Sequence, residues 1–281
     1  MVHHVTRDRK AEVGPLAEHA VAPTELRSYL DRRKQWAPVA PEGNLEGEYQ
    51  GRHMLLTFDD GYRNNLSHAL PVLEKYETPC ILFITTGFVE GTVYPYELEL
   101  AEIIERADTL LIPGWSEPTQ LSTLPERQAL YDKLRLPLKP KSHADRDRFM
   151  ERLADHNEYE RTEVQNEPLL SWEEVRSLSD HPLVTIGAHT QFHTLLSQQS
   201  WRSAYEELKT SKRQLERKIG QPVVSFSYPY GGNNAFIRQI AKWLGFQYGF
   251  TTDARQVARI NMWNRLSLPR IDIGNLITGY E

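Results

Sequence analysis

The feature that most constrains this chain is a serial alternation of short apolar runs and helix-patterned stretches. The run over 54–58 ends in Asp59-Asp60-Gly61, and Leu66, Ala69, Leu70, Leu73 and Tyr76 then recur at helical spacing. A second run over 80–86 ends at Gly87, and a helical pattern returns over 97–107. Downstream, the run over 183–187 precedes a loop and a helix over 201–219, which Gly220 and Pro222 terminate. A strand over 223–228, a helix over 235–244 stopped by Gly245, and a strand over 246–252 follow. At least four strand-then-helix units in series predict parallel strands joined by crossover helices, hence one α/β sheet or barrel.

The stretch at about 91–170 breaks this rhythm. Pro95, Pro113-Gly114, Pro118, Pro125, Pro137 and Pro140 punctuate short helical segments, which reads as a mainly helical insertion into a single domain covering 1–281. Ser171 as N-cap with Glu174 three residues on forms a capping box for the helix that resumes the main pattern. At 281 residues the chain is long enough to bury about 75% of its unfolded surface.

Composition narrows the function classes. A net charge of −5 argues against a phosphate-backbone binder, so no nucleic-acid partner is expected. The single Cys80 lies in an apolar run, where it reads as core; it can form neither an internal disulfide nor a Cys-rich metal site. The N-terminal residues lack the basic and apolar regions of a signal peptide, and no window approaches the roughly 18 apolar residues of a membrane span. The expectation is a cytoplasmic chain without a transmembrane segment.

In parallel α/β folds, sites form at the carboxyl ends of strands. Three motifs fall at such positions: Thr57-Phe58-Asp59-Asp60-Gly61, His189-Thr190-Gln191-Phe192-His193 and Tyr228-Pro229-Tyr230-Gly231. Adjacent carboxylates at a strand end diverge, so one of the pair can ligate a metal while its neighbour takes a proton. His189 and His193, four apart, can share a ligand if the chain begins a helical turn after the strand. One carboxylate with two imidazoles leaves positions open for water and substrate, as in a catalytic metal site. Non-haem iron oxygenases use the same ligand set, so the ligands alone do not name the chemistry.

The three motifs, in this order on this alternation, resemble the polysaccharide deacetylases of carbohydrate esterase family 4, the NodB-homology domain. The likeness runs from about Leu55 to Arg270. It implies a deformed (β/α) barrel and a divalent metal, zinc first, that serves removal of N- or O-acetyl groups from sugars. On this resemblance Asp59 is the general base; Asp60, His189 and His193 are the metal triad; the Tyr230 backbone N–H helps hold the oxyanion. Pro229 and Tyr230 also fall among the substrate-binding positions.

Two departures stand out. Many members carry an Arg just before the Pro-Tyr-Gly motif, where this chain has Ser227-Tyr228, and a C-terminal Leu-x-His motif, which this chain lacks. Val2-His3-His4-Val5 resembles the N-terminal segment of a circularly permuted branch that deacetylates exopolysaccharides. That likeness makes His3 the general acid, with His4 second. Leu268-Pro269-Arg270-Ile271 resembles a C-terminal segment of the same branch, and Arg270 is expected to supply the missing cation beside Asp59, lowering its pKa.

Aromatic rings suit sugar faces. Tyr62 and Trp172 are the leading substrate contacts, with Phe88, Tyr94, Tyr96 and Trp263 as further groove residues and Arg63 within reach. The expected activity is metal-dependent deacetylation of an N-acetylated sugar in a polysaccharide or surface glycan. The alternatives are hydrolysis of a small cyclic or linear amide on the same fold, and carbohydrate binding without turnover.

Overall fold

The computed structural model describes residues 1–6, 13–39, 45–48, 50–166, 168–257 and 259–274. Its main sheet contains β1 (Leu56–Phe58), β2 (Cys80–Ile84), β3 (Val184–Ala188), β4 (Ser225–Ser227) and β5 (Tyr248–Phe250). They lie in the order β5-β4-β3-β2-β1, and every pair is parallel. Nearly all of their residues are buried, which is why the sequence shows continuous apolar runs and not an alternation of apolar and polar positions.

Neither edge of this sheet is left open. Val2 bridges Phe58 in parallel beside β1, with Val2 N–H to Thr57 O at 2.9 Å and Asp59 N–H to Val2 O at 3.2 Å. Beside β5, Leu268 bridges Phe250 and takes the Thr251 N–H at 2.8 Å. The two added staves then meet, because the Met1 nitrogen donates to Ile271 O at 2.8 Å and Ile273 N–H to Met1 O at 3.0 Å. Segments near 2 and 270 therefore close the ring between them. The result is the deformed (β/α) barrel that the alternation leads one to expect, and its closure puts His3 and Arg270 on one rim.

Ten α-helices surround the sheet among the described residues: α1 (Gly14–His19), α2 (Pro23–Asp31), α3 (Leu70–Lys75), α4 (Thr86–Val89), α5 (Tyr96–Arg106), α6 (Leu124–Leu138), α7 (His143–Asn157), α8 (Trp172–Ser179), α9 (Trp201–Ile219) and α10 (Ala235–Trp243). The longest, α9, starts at Ser200, whose hydroxyl accepts the Ser203 N–H at 3.2 Å, and ends at Gly220 in the left-handed region, φ 73°. The Ser171–Glu174 capping box opens α8. The sequence pattern merges the Asn65–Ala69 segment into one helix with α3, but the structure makes it a single π turn directly after the Asp59-Asp60-Gly61 loop.

The insertion holds α5, α6, α7, a 3₁₀ turn at Arg161–Val164 and a short antiparallel pair, Thr109–Leu110 with Thr119–Gln120. It gathers its own apolar cluster around Leu100, Ile104, Tyr131, Leu134, Met150 and Leu153. Each such side chain contributes roughly 1.5–3 kcal/mol on burial. The sequence pattern leaves α1 and α2 unmarked, and both begin at Gly-Pro or Pro with few turns to reveal a period. Cys80 is buried in the core, where burial pushes its thiol up to about 12.

Candidate metal centre and active site

The rim at the strand ends brings Asp59, Asp60, His189, His193, Tyr230, Arg270 and His3 together. Asp60 sits at φ 77° and Gly61 at φ 94°, so the chain reverses within two residues and the paired carboxyls diverge. Glycine is needed at 61 because a Cβ there combines that backbone with a 3.3 Å approach to Ile84 Cδ1.

Asp60 Oδ1 lies 3.4 Å from His189 Nε2 and 3.3 Å from His193 Nε2. His189 Nδ1 lies 2.9 Å from Ser227 O, and a carbonyl only accepts, so Nδ1 carries the proton. Nε2 is therefore the ring atom left to face the carboxylate oxygen and to serve as a ligand. Burial pushes the His193 ring down to about 3. Asp60 Oδ1 is buried with no hydrogen-bond donor. A buried carboxylate oxygen without a donor, facing two imidazole nitrogens, calls for a cation between them. The three ligand atoms lie within 4.8 Å of one another, and two imidazoles with one carboxylate suit a divalent transition metal.

Asp59 is 1% exposed and takes a different partner. Arg270 Nη1 donates to its Oδ1 at 2.7 Å and Nη2 to its Oδ2 at 2.7 Å, a bidentate pair. Arg270 is itself fixed by Thr251 O at 2.9 Å, Thr57 Oγ1 at 3.1 Å and Ser227 Oγ at 2.7 Å. Burial by itself raises the Asp59 pKa, but the Arg270 charge and His189 outweigh it and hold the carboxyl well below the usual range. Ser227, standing where many family members carry Arg, donates its hydroxyl to Asp59 at 3.2 Å and accepts from Arg270.

His3 Nδ1 is 3.2 Å from the second Asp60 oxygen, and 19% of its side chain is exposed. Burial lowers its pKa, while the Asp60 hydrogen bond and charge outweigh this and raise it above the ordinary value. His4 is different. It is fully buried, stacks on Tyr62 with centroids 3.8 Å apart and meets Asn64, so the structure makes it a packing residue and not an alternative to His3 at the open rim.

The His189–His193 spacing does not work through a helical turn, as the sequence suggests. Thr190 at φ 66° and His193 at φ 50° are left-handed, and the segment is a loop. Its backbone groups are bonded by side chains: Glu207 takes the Gln191 and Phe192 N–H groups, each at 3.0 Å, and Arg146 reaches the Phe192 and His193 carbonyls. With these bonds spent sideways, no helix forms.

Tyr230 also has a positive φ, 60°, and it follows the buried Pro229 in a 3₁₀ turn. Its ring meets His193 edge-on at 4.7 Å, and its hydroxyl donates to the buried Glu97 of α5. Of the six non-glycine residues with positive φ among those described, Asp60, Thr190, His193 and Tyr230 belong to this rim. Such backbone costs about 1–3 kcal/mol per residue and gathers where function over-determines the chain.

A cleft beside His193 is lined by Phe88, Tyr94, Tyr96, Glu97, His143 and Arg146. Three of the expected groove aromatics are therefore there. The two leading ones are not. Tyr62 is 3% exposed beneath His4, and Trp172 packs its indole N–H on Glu90 with Lys218 over the ring. Trp263 stands 86% exposed, away from the cleft lining, and Arg63 is spent on an ion pair with Glu174 at 2.6 Å. An aromatic or cation close to a motif in sequence says nothing of the direction in which its own backbone points it.

The residues that sequence reasoning missed are Glu207, Arg146, Glu97 and Ser227. A signal exists for two of them. Glu207 shares the buried stripe of α9 with Ala204, Leu208, Ser211 and Leu215, and Arg146 shares that of α7 with Met150, Leu153 and Ala154. A charge at an apolar position of a helical stripe marks a buried, paired group.

Fold and rim together define a class: a deformed (β/α) barrel with a strand-end cluster of two histidines and one aspartate. A family model for polysaccharide deacetylase matches residues 46–135 and 140–249, and the chain belongs to that family. A search of curated protein sequences finds no match. Among solved structures, the Streptococcus pyogenes deacetylase PplD in complex with acetate aligns over 100% of this chain and 96% of its own, at 20% identity and TM-score 0.60. IcaB from Ammonifex degensii covers 96% of this chain and 88% of its own, at 19% identity and TM-score 0.59. The BpsB deacetylase domain from Bordetella bronchiseptica covers 96% and 94%, at 17% identity and TM-score 0.56. At these identities the likeness is one of fold. Among the described residues no helix is long and apolar enough to cross a membrane.

Proposed function

We propose that this chain hydrolyses the N-acetyl group of a sugar within a polysaccharide or surface glycan, with zinc held by Asp60, His189 and His193. The observation that carries this reading is the buried, donorless Asp60 Oδ1 facing two imidazole nitrogens, with the separate carboxylate of Asp59 alongside. Held by Asp60, His189 and His193, zinc would supply Lewis acidity toward the acetyl carbonyl and toward a water molecule.

Asp59 is the general base. Arg270 keeps it ionised at neutral pH; Oδ2 accepts from both Arg270 and Ser227, while Oδ1 keeps a lone pair beyond the one that Arg270 occupies and is the atom that takes the proton. Arg270 also fixes the direction of the carboxylate through two bonds, so proton acceptance needs no reorganisation. The Tyr230 backbone N–H donates to the carbonyl oxygen as negative charge develops on it, and the left-handed turn at Tyr230-Gly231 sets its aim. His3, whose pKa the contact with Asp60 raises, is the general acid that delivers a proton to the leaving amine. The products are acetate and a free amine on the sugar.

In the cleft beside His193, the half-buried Tyr94 offers a face for a sugar ring, with Phe88 and Tyr96 buried behind it. The test is acetate release from N-acetylated glucosamine oligomers, set beside a panel of small cyclic and linear amides. Release that stops on chelation and in Asp59→Asn supports the proposal. Turnover of the amides alone, or glycan binding with no acetate formed, refutes it.

A further inference from the structure

The loop that carries His193 is held from two sides by buried charges of opposite sign. Its first two carbonyls are taken by α4: Thr86 N–H donates to Thr190 O at 3.2 Å and Gly87 N–H to Gln191 O at 2.8 Å. Beyond that point α4 makes no such bonds, and side chains take over. From α9, Glu207 Oε2 accepts the N–H groups of Gln191 and Phe192 and Oε1 accepts the Thr194 hydroxyl at 2.7 Å. From α7, in the insertion, Arg146 donates to Phe192 O at 3.0 Å, His193 O at 3.1 Å and Thr194 Oγ1 at 3.4 Å. His143, three residues before Arg146, stacks on Phe192 with centroids 3.7 Å apart.

Arg146 is 4% exposed and Glu207 6%. A buried charge is tolerated only where its hydrogen-bonding partners are in place. Here those partners are the loop's own N–H and C=O groups, in the one conformation that leaves His193 at φ 50° with Nε2 toward Asp60. Thr194 links the two charges, so the clamp is continuous from α7 to α9.

We infer that Arg146 and Glu207 are positioning residues for the ligand His193, and that α7 of the insertion is a working part of the metal cradle as well as a wall of the cleft. This rests on the reading of Asp60, His189 and His193 as metal ligands. Removing such outer support of a ligand typically lowers metal affinity 10–100-fold.

The test is a competition titration of Zn²⁺ between a chromophoric chelator and the metal-free full chain, with near-ultraviolet circular dichroism and a thermal melt on each metal-free variant. Arg146→Met and Glu207→Gln are expected to lose Zn²⁺ affinity at least about tenfold. Arg146→Lys, which keeps the charge and a donor, recovers part of it. Thr194→Val, which removes only the linking hydroxyl, gives a smaller loss and carries the test if a charge variant does not fold. The control is Arg161→Met, another insertion arginine, whose partners are Glu99 and Asp147 and not the loop; its affinity stays at the wild-type value. Wild-type affinity in every folded clamp variant overturns the inference, as does an equal loss in the control. A wild-type chain that binds no Zn²⁺ overturns the metal reading and this inference with it.

Discussion

Replacing Arg270 by Met removes the guanidinium that pairs with the buried Asp59 carboxylate, while leaving an unbranched side chain. The guanidinium gives Asp59 two 2.7 Å bonds and is tied to Ser227, Thr57 and Thr251, so its loss strands a charge at 1% exposure. Breaking a buried pair on one side typically costs 3–5 kcal/mol, which for a chain of this size lowers Tm by about 6–20 °C. The pH dependence gives the sharper signature. In the native protein the Asp59 pKa is depressed, so its contribution is present above the unfolded value near 3.8 and is lost as pH falls through the folded one. In Arg270→Met burial acts without the cation, and the folded pKa lies above the unfolded one. The unfolded chain then ionises first, and the variant loses stability as pH rises. The wild type keeps its contribution above about pH 4 while the variant goes on losing stability, so the gap between them widens from pH 4 to pH 7, measured by urea unfolding at each pH. Arg270→Met combined with Asp59→Asn removes both charges and recovers most of the lost stability, though not the activity. A gap that stays constant with pH, or a double variant no better than Arg270→Met, refutes the assignment of Arg270 as the cation that keeps Asp59 ionised.

The remaining predictions concern the other parts of the rim. His3→Gln lowers kcat by about 10²–10⁴ while zinc affinity, followed by chelator competition, changes little; His4→Ala lowers Tm through the lost Tyr62 stack and leaves the pH profile of kcat in place. Gly231→Ala places a Cβ 2.1 Å from Thr252 Oγ1 at φ 69°, so the turn bearing Tyr230 must shift; stability falls by about 1–3 kcal/mol and kcat falls more than KM rises. Chelation of the native protein lowers Tm, and Zn²⁺ restores it in a concentration-dependent way, because a ligand of the folded state alone stabilises it by mass action; a Tm indifferent to chelator contradicts this.

Much of the barrel is legible in the sequence because parallel strands are buried on both faces and stand out as short apolar runs closed by Gly or Asp. The helix ends at Ser171, Ser200 and Gly220 can be read because capping chemistry is local. Ring closure cannot be read in this way. The staves at Val2 and Leu268 are single bridges with no period to detect, and they meet across almost the whole chain. Within the rim, Asp59, Asp60, His189 and His193 are readable because they are contiguous with strand ends. Arg270 and His3 enter through resemblance alone, and the structure sets them at Asp59 and Asp60. The helical turn expected between the histidines fails because Glu207 and Arg146, distant in sequence, take the bonds a helix needs. Tyr62 shows the limit for side chains: it follows the aspartate pair closely in sequence, but His4 stacks on it and buries it, while the half-buried Trp172 lies outside the cleft lining and meets Glu90.

The most direct test of the central claim is a metal titration of the purified chain, stripped by chelator and reloaded with zinc, followed by anomalous diffraction at the zinc edge. The account predicts one tightly held ion per chain, one anomalous peak within bonding distance of Asp60, His189 Nε2 and His193 Nε2, and loss of both in His189→Ala. A chain that holds no ion, or whose ion sits elsewhere and survives that substitution, contradicts it.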